Sequence, residues 1–308
     1  VVLFDSPNRT LPYAHQFTLG YVRELASSLA VHVDYIHMKN KEMFLARNLN
    51  PALRVDTSRT GALRRSDAFG VLGDTYLQQV WVFENTGESV YNALNLSLEK
   101  RYANNWSGRL SYSLSKAEGT ANDQSDKNTY QTMTDLNMDA FRGPSNVDRR
   151  HILSLGAQTQ IPKTGIMLSS TARYMSGAPF SIYDSSIDAD RNGELIDPVP
   201  AGTYSGTAPD SMKNVKNKGG RNGAIGPDYF QVDVRAGWRR RINQDRALEL
   251  FLDIYNITNR ANFENPTTTN VPGGSTDRRL PATYLVLTNL RGGGGFPRQA
   301  LMGARLAF

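Results

Sequence analysis

Residues 230–255 read FQVDVRAGWRRRINQDRALELFLDIY, and their alternation decides the class of fold. Phe230, Val232, Val234, Ala236 and Trp238 fall on one side of an extended chain, whereas Gln231, Asp233, Arg235 and Gly237 fall on the other. After a polar, arginine-rich turn the same spacing resumes: Leu248, Leu250, Leu252 and Ile254 face away from Glu249, Phe251, Asp253 and Tyr255. Successive side chains of a strand point to opposite faces, so a two-residue period means a strand with one apolar and one polar side. Both segments have about the length a tilted strand needs to cross a bilayer, ~9–11 residues.

The spacing recurs in both directions. Phe17, Leu19 and Tyr21 alternate with Thr18, Gly20 and Val22, and after "ASS" (26–28) Leu29, Val31, Val33 and Tyr35 alternate with Ala30, His32, Asp34 and Ile36. Leu94, Leu96 and Leu98 are followed by Trp106, Leu110, Tyr112 and Leu114 on the apolar side, with Ser107, Arg109, Ser111 and Ser113 opposite them. Leu153, Leu155 and Ala157 lead through "IPKTG" to Ile166, Leu168, Ala172 and Tyr174. At the C-terminus Ala300, Met302, Ala304, Leu306 and Phe308 alternate with a mixed set that carries Arg305. Charges on the strands gather on one face.

Connections sharpen the reading. Short turns near 26–28, 102–105, 161–165 and 240–245 alternate with long stretches at 40–89, 116–150, 175–228 and 258–298. Compact soluble domains seldom need loops of that length, whereas outer-membrane barrels place short turns on the periplasmic side and long loops outside. The predicted fold is all-β, an antiparallel transmembrane β-barrel of about nine bilayer-length strands. Bacterial single-chain barrels have even strand numbers, so nine strands read as part of a barrel whose other strands lie upstream. The opening "VVLFDSPNRT", without a methionine, likewise reads as a fragment. "YLQQVWVFENTG" (76–87) is expected in an excursion above the membrane. Tyr21, Tyr35, Trp106, Tyr112, Tyr174 and Trp238 suit interfacial girdles.

A β-sandwich is the soluble rival, because alternation alone does not say which face meets water. Bulk composition is compatible with either. No run of eighteen apolar residues occurs, which excludes transmembrane helices but not strands, whose average hydropathy stays low. The absence of cysteine removes disulfide frameworks and thiolate metal sites. The net charge of +6 could suggest nucleic acid, but the basic residues are scattered, so no nucleic-acid partner is expected.

Several longer stretches resemble a known family. "PRQALMGARLAF" (297–308) resembles the closing strand of TonB-dependent outer-membrane receptors. "YNALNLSLEKRY", "LSYSLSKAEG", "DRRHILSLGAQTQIP", "SGAPFSIY", "GRNGAIGPDYFQVDVRAGWRR" and "DIYNITNRANFENP" are similar in order and spacing to the barrel of the Oar-like branch, which carries a carboxypeptidase-regulatory-like domain before the plug. The resemblance implies a cell outer-membrane location and uptake of an unidentified substrate energised through TonB. It also implies that Gly303, Leu306 and Phe308 form the signal read by the barrel-assembly machinery. Lumen-facing Arg109, Arg173, Asp233, Arg235, Glu249, Asp253 and Arg305 become candidates for contact with the receptor's own plug or with substrate. A passive porin or surface adhesin would share the barrel, and a soluble β-sandwich binding module remains the third alternative.

No catalytic constellation stands out. His15, His32, His37 and His151 lack metal-binding spacing, and neither a GxSxG elbow nor a P-loop occurs, so an enzyme is not expected. The tetraglycine 292–295 reads as a flexible loop. Arg64-Arg65, Arg149-Arg150 and Arg278-Arg279, in predicted outer loops, suit the phosphates of surface lipopolysaccharide, which with outer-membrane lipid is an expected partner. "DADRNGELID" (188–197) places Asp188, Asp190 and Asn192 at alternate positions before Gly193, like the first half of a calcium loop. The twelfth position is Val199 rather than Glu, so a remaining ligand has to come from Glu194 or Asp197. No other cofactor is expected.

Overall fold

A computed structural model of the chain describes residues 2–65, 80–120, 142–193, 195, 197–243, 246–271, 280–291 and 296–308. The second half of "YLQQVWVFENTG" is described, while Arg278-Arg279, Glu194 and the tetraglycine lie outside the described residues. Nine long strands pair in chain order: β1 (Tyr13–Ala26), β2 (Leu29–Asn48), β3 (Val80–Ala103), β4 (Trp106–Gly119), β5 (His151–Gln160), β6 (Ile166–Met175), β7 (Tyr229–Arg241), β8 (Ala247–Tyr255) and β9 (Gln299–Ala307). Every neighbouring pair along this path is antiparallel. Val2–Asp5 adds a parallel flank to the top of β3, and Gly143–Pro144 extends the β4 edge. No helix occurs among the described residues.

Register converts the alternation into two continuous faces. Val31, Leu98, Leu110, Leu155, Ala172 and Val232 form one apolar row across six strands. Offset by one residue, His32, Ser97, Ser111, Ser154, Arg173 and Gln231 form a polar row on the opposite face. A slip of one residue in any strand would interleave the two. On the apolar face Leu19, Leu96, Leu168, Leu250, Leu252 and Met302 all stay exposed. A sandwich would bury such residues against a second sheet, so this face is turned to a hydrocarbon surrounding.

The short turns match their sequence. Asn104 and Asn105 both adopt positive φ, 55° and 66°, the backbone a tight type I′ hairpin requires and asparagine tolerates. Ala26 still pairs with Leu29, so the first turn holds two residues rather than the three of "ASS". Trp238 Nε1 donates to the Thr164 carbonyl at 3.2 Å, and Lys100 sits 4.3 Å over the Trp106 ring, which fixes both indoles at the turn end. Near the loop end the Tyr112 hydroxyl lies 2.8 Å from His151 Nδ1. Aromatic side chains with one wet end suit the two rims of a membrane-spanning wall.

At the loop end the long connections are organised rather than slack. β2 and β3, at 20 and 24 residues, are about twice as long as a bilayer requires, and Asn48 still pairs with Trp81 at their upper end. Val80–Gly87 is therefore the upward continuation of a wall strand. Phe180, Ile182, Val199, Val215, Ala224, Tyr284 and Leu285 form a buried core drawn from two connections, those between β6 and β7 and between β8 and β9, and two small sheets brace it. Buried Arg221 reaches the carbonyls of Gly119 and Gly143, tying this cap to the connection after β4.

Candidate functional site

The polar face of the wall is where charge concentrates, and its groups are ordered by the strands that carry them. On β7, Arg235 reaches Asp253 of β8 at 3.4 Å and Glu249 of β8 at 3.9 Å. Its guanidinium lies 4.2 Å above the ring of Phe251, which stands between those two carboxylates along β8. Opposite Phe251 the register places Gly303 of β9, where an added Cβ would run into the ring. Glycine at 303 therefore makes room for the ring on which Arg235 rests. Arg305 stands opposite Glu249.

Higher on β7, Tyr229, Gln231 and Asp233 form a chain. The Tyr229 hydroxyl donates to Gln231 Oε1 at 2.7 Å, and Gln231 Nε2 donates to Asp233 at 2.9 and 3.1 Å. The backbone N–H of Asn256 also donates to Asp233 Oδ1, at 2.8 Å. Beside this chain lies a recess of about 450 Å³ lined by Arg109, Gly156, Thr171, Arg173, Gln231 and Asp233, among others. Its floor is low because nothing lies within 4 Å of where a Cβ of Gly156 would stand. Arg109 and Arg173 make no ion pair among the described residues, so two cationic groups flank the recess. Above them Arg291 approaches the Tyr229 ring at 5.8 Å, and Arg149 donates to the Ser176 carbonyl at 2.9 Å. Burial, then the neighbouring Arg291 charge, holds Arg149 down at about 10.

The sequence-expected residues thus separate into three places. Asp233, Arg235, Glu249, Asp253 and Arg305 occupy the polar face of β7 to β9, while Arg109 and Arg173 occupy the recess. Of the terminal residues, Leu306 and the 91% exposed Phe308 belong to the apolar side, and Gly303 faces the other way against Phe251. Arg149-Arg150 is not a free doublet, because Arg150 pairs with Asp148 at 3.3 Å and Arg149 is held as above.

In the cap, Asp188, Asp190 and Asp197 bring one carboxylate oxygen each within 4.8 Å of one another. Asp188 is fully buried. Its Oδ2 accepts from Arg54 Nε at 2.8 Å and from the Gly193 N–H at 2.9 Å, while its Oδ1 has no hydrogen-bond partner. Gly193 has φ of +93° and its N–H folds back toward Asp188, a conformation that side chains rarely adopt. Asp197 Oδ2 accepts from the Ala189 N–H at 2.9 Å, closing the loop on itself. Burial, then the neighbouring carboxylates, pushes Asp197 up to about 6. The same causes push Asp190 upward, an effect that water at its exposed edge reduces.

Some organising residues left no sequence signal. Arg54, 134 residues from Asp188, also donates to the carbonyls of Arg59, Gly61 and Gly193 and so joins two connections. Asn262, fully buried, accepts from the Phe230 N–H and donates to the Phe230 carbonyl. The only hint was its place within "DIYNITNRANF", where a polar residue follows the apolar spacing of a strand.

A family model described as an outer membrane beta barrel domain matches residues 2–283. No curated protein matches the sequence. Among solved structures the chain is similar to the outer membrane transporter YddB of Escherichia coli, with 11% identity and a TM-score of 0.50 over 97% of this chain and 33% of that one. It is also similar to the pyoverdine outer membrane receptor FpvA of Pseudomonas aeruginosa, with 12% identity and a TM-score of 0.49 over 96% of this chain and 30% of that one. The ferric-catecholate import receptor Fiu of E. coli gives 12% identity and 0.47, over 96% and 27%. The chain therefore spans between about a quarter and a third of the length of these structures.

Proposed function

From the premise that this chain belongs to the outer membrane beta barrel domain family and lies in the outer membrane, we propose that it forms the C-terminal part of a TonB-dependent receptor barrel, of the Oar-like kind. The observation that carries this reading is the pair of free edges. β1 pairs only with β2, and β9 only with β8, among the described residues. In hydrocarbon an unpaired strand edge leaves backbone groups with no partner, so further strands complete the wall. Barrels of about 22 strands are wide enough to need a plug in the lumen. Arg109 and Arg173, without an ion pair among the described residues and set in a recess on the polar face, supply contacts for carboxylates of such a plug or for an anionic substrate passing it. Asp233, Arg235, Glu249, Asp253 and Arg305 line the same route. Leu306 and Phe308 give the barrel-assembly machinery an apolar terminal strand to engage, and lipopolysaccharide surrounds the loop end.

A photo-crosslinking amino acid at Arg173 of the full-length protein in native outer membranes tests the reading. The expected product is an adduct within the same polypeptide, to a segment preceding this chain, whose yield changes when the inner-membrane proton gradient is collapsed. Absence of any such adduct, with unchanged labelling by a small water-soluble probe, would indicate an open porin and overturn the proposal.

A further inference from the structure

The acidic loop of the cap carries the inference furthest. We propose that Asp188, Asp190 and Asp197, with Asn192 positioning Asp190 by donating its backbone N–H at 3.1 Å and its side-chain N–H at 3.2 Å, form a calcium-binding site that fastens the 183–199 connection to the rest of the cap.

Two independent features support it. The first is the donor set: three carboxylates converge within 4.8 Å, close enough that one cation with bonds of about 2.3–2.6 Å touches all three. The second is the state of Asp188. Its carboxylate is fully buried and fixed through Oδ2 by Arg54 and the Gly193 N–H, yet Oδ1 receives no donor. A buried, unsatisfied carboxylate oxygen is costly, and Asp190 and Asp197 each bring a further carboxylate oxygen into the same cluster. Arg54 supplies one positive charge against three acidic groups, which leaves the cluster with an excess of negative charge. A divalent cation at Oδ1 removes that excess and satisfies the orphaned oxygen together.

The chemistry selects the ion. All the donors are oxygen, and no histidine joins the cluster among the described residues, which disfavours zinc and copper. Magnesium demands near-ideal octahedral geometry and gives up its water reluctantly, whereas calcium accepts an irregular set completed by backbone carbonyls and water. Asp197, ten residues into the loop, supplies the closing carboxylate in place of the Glu a twelve-residue loop would carry. Its neighbour Pro198 pairs with Tyr183 in the small cap sheet, and Val199 lies in the cap core. The ion would therefore join the loop to the cap's apolar centre.

The test uses purified full-length protein in detergent, stripped with EGTA and titrated calorimetrically with CaCl2 and, separately, MgCl2. Expected is one saturable calcium site with a Kd in the extracellular-module range of about 0.1–1 mM, and magnesium at least about tenfold weaker. Asp190→Asn, at the exposed edge of the cluster, should weaken calcium binding about tenfold or more, and so should Asp197→Asn in preparations that keep the heat-modifiable mobility of the folded barrel. As a second readout, calcium should slow protease cleavage between residues 185 and 198 in the wild type and not in Asp190→Asn. No saturable calcium binding, equal affinity for magnesium, or unchanged binding in Asp190→Asn would each overturn the proposal.

Discussion

Adjacent residues on β6 separate the two faces of the wall by a measurable energy. Ala172 lies in the apolar row between Leu155 and Val232, and Thr171 lies in the recess between Gly156 and Asp233. Ala172 is six residues above Ile166 at the turn end. At a rise of about 3.4 Å per residue and a tilt of about 40°, that is roughly 16 Å, well inside an apolar band about 25 Å tall. An arginine facing lipid near the midplane costs about 2–4 kcal/mol, or roughly 30- to 1000-fold in the folding equilibrium. At 171 the same side chain enters water opposite the Asp233 carboxylate, so Thr171→Arg should cost about 1 kcal/mol at most. Reversible urea unfolding of the full-length protein in lipid vesicles, followed by tryptophan fluorescence, gives both values. Equal costs, or a larger cost at 171, would mean that the face assignment is inverted and the membrane placement of the wall wrong.

Further outcomes follow from particular contacts. Gly303→Val should destabilise the wall by about 1–3 kcal/mol by driving a methyl into the Phe251 ring. Adding Phe251→Ala should recover part of the loss, and strictly additive costs would refute the contact. Ile182→Ala, at 0% exposure in the cap core, should cost the cap about 2–5 kcal/mol and speed its proteolysis while membrane-protected fragments persist; unchanged cleavage would count against that core. Deleting Phe308 should lower the amount of assembled outer-membrane protein, and normal levels of correctly inserted barrel would remove it from the assembly signal. Glu88 lies above the spanning part of β3 and accepts from Lys41 at 2.6 Å and from Arg142, contacts that hold it down at about 2. Because that value is depressed below the ordinary one near 4.5, the tether is fully present above that pH and is lost as the pH falls through about 2. Hydrogen exchange around Arg142 should follow that window in the wild type and be flat in Glu88→Gln.

The wall was legible because lipid and water impose opposite demands on alternate residues, so each strand declared itself locally. Leu248, Leu250 and Leu252 against Glu249 and Asp253 needed no distant information, and all nine long strands emerged this way. The partners of Arg235 were half legible, since its face followed from spacing but its seat on Phe251 depends on the β7–β8 register and on the glycine across in β9. The cap was not legible. Its core joins Phe180 to Leu285, and the two- and three-residue strands that brace it are too short for a period to appear. The acidic loop stood between these cases: Asp188, Asp190 and Asn192 announced themselves by spacing, whereas the approach of Asp197 to Asp188 and Asp190 depended on how the chain returns to Tyr183 and Asp184.

Wall and cap are stabilised by different media, and the junction between them explains why their responses should separate. The wall exposes its leucines to lipid, so its apolar burial comes from the bilayer, whereas the cap excludes water with its own seven-residue core. Pairing between β7 and β8 stops at Val234 and Ile254, which would leave the upper end of β7 without a partner on that side. Side-chain amides and turn backbone take over there. Asn262 exchanges both hydrogen bonds with Phe230, and the Ile257 N–H donates to the Val232 carbonyl at 2.8 Å. Asn256, 2% exposed, then holds the carbonyls of Arg260 and Phe296 at 2.9 and 2.8 Å. These contacts replace strand pairing at the height where the lipid ends, so β7 stays satisfied whether or not the cap core above it is intact. A cavity at Ile182 therefore loosens the cap without unzipping the wall, and a charge at Ala172 strains the wall without reaching the cap.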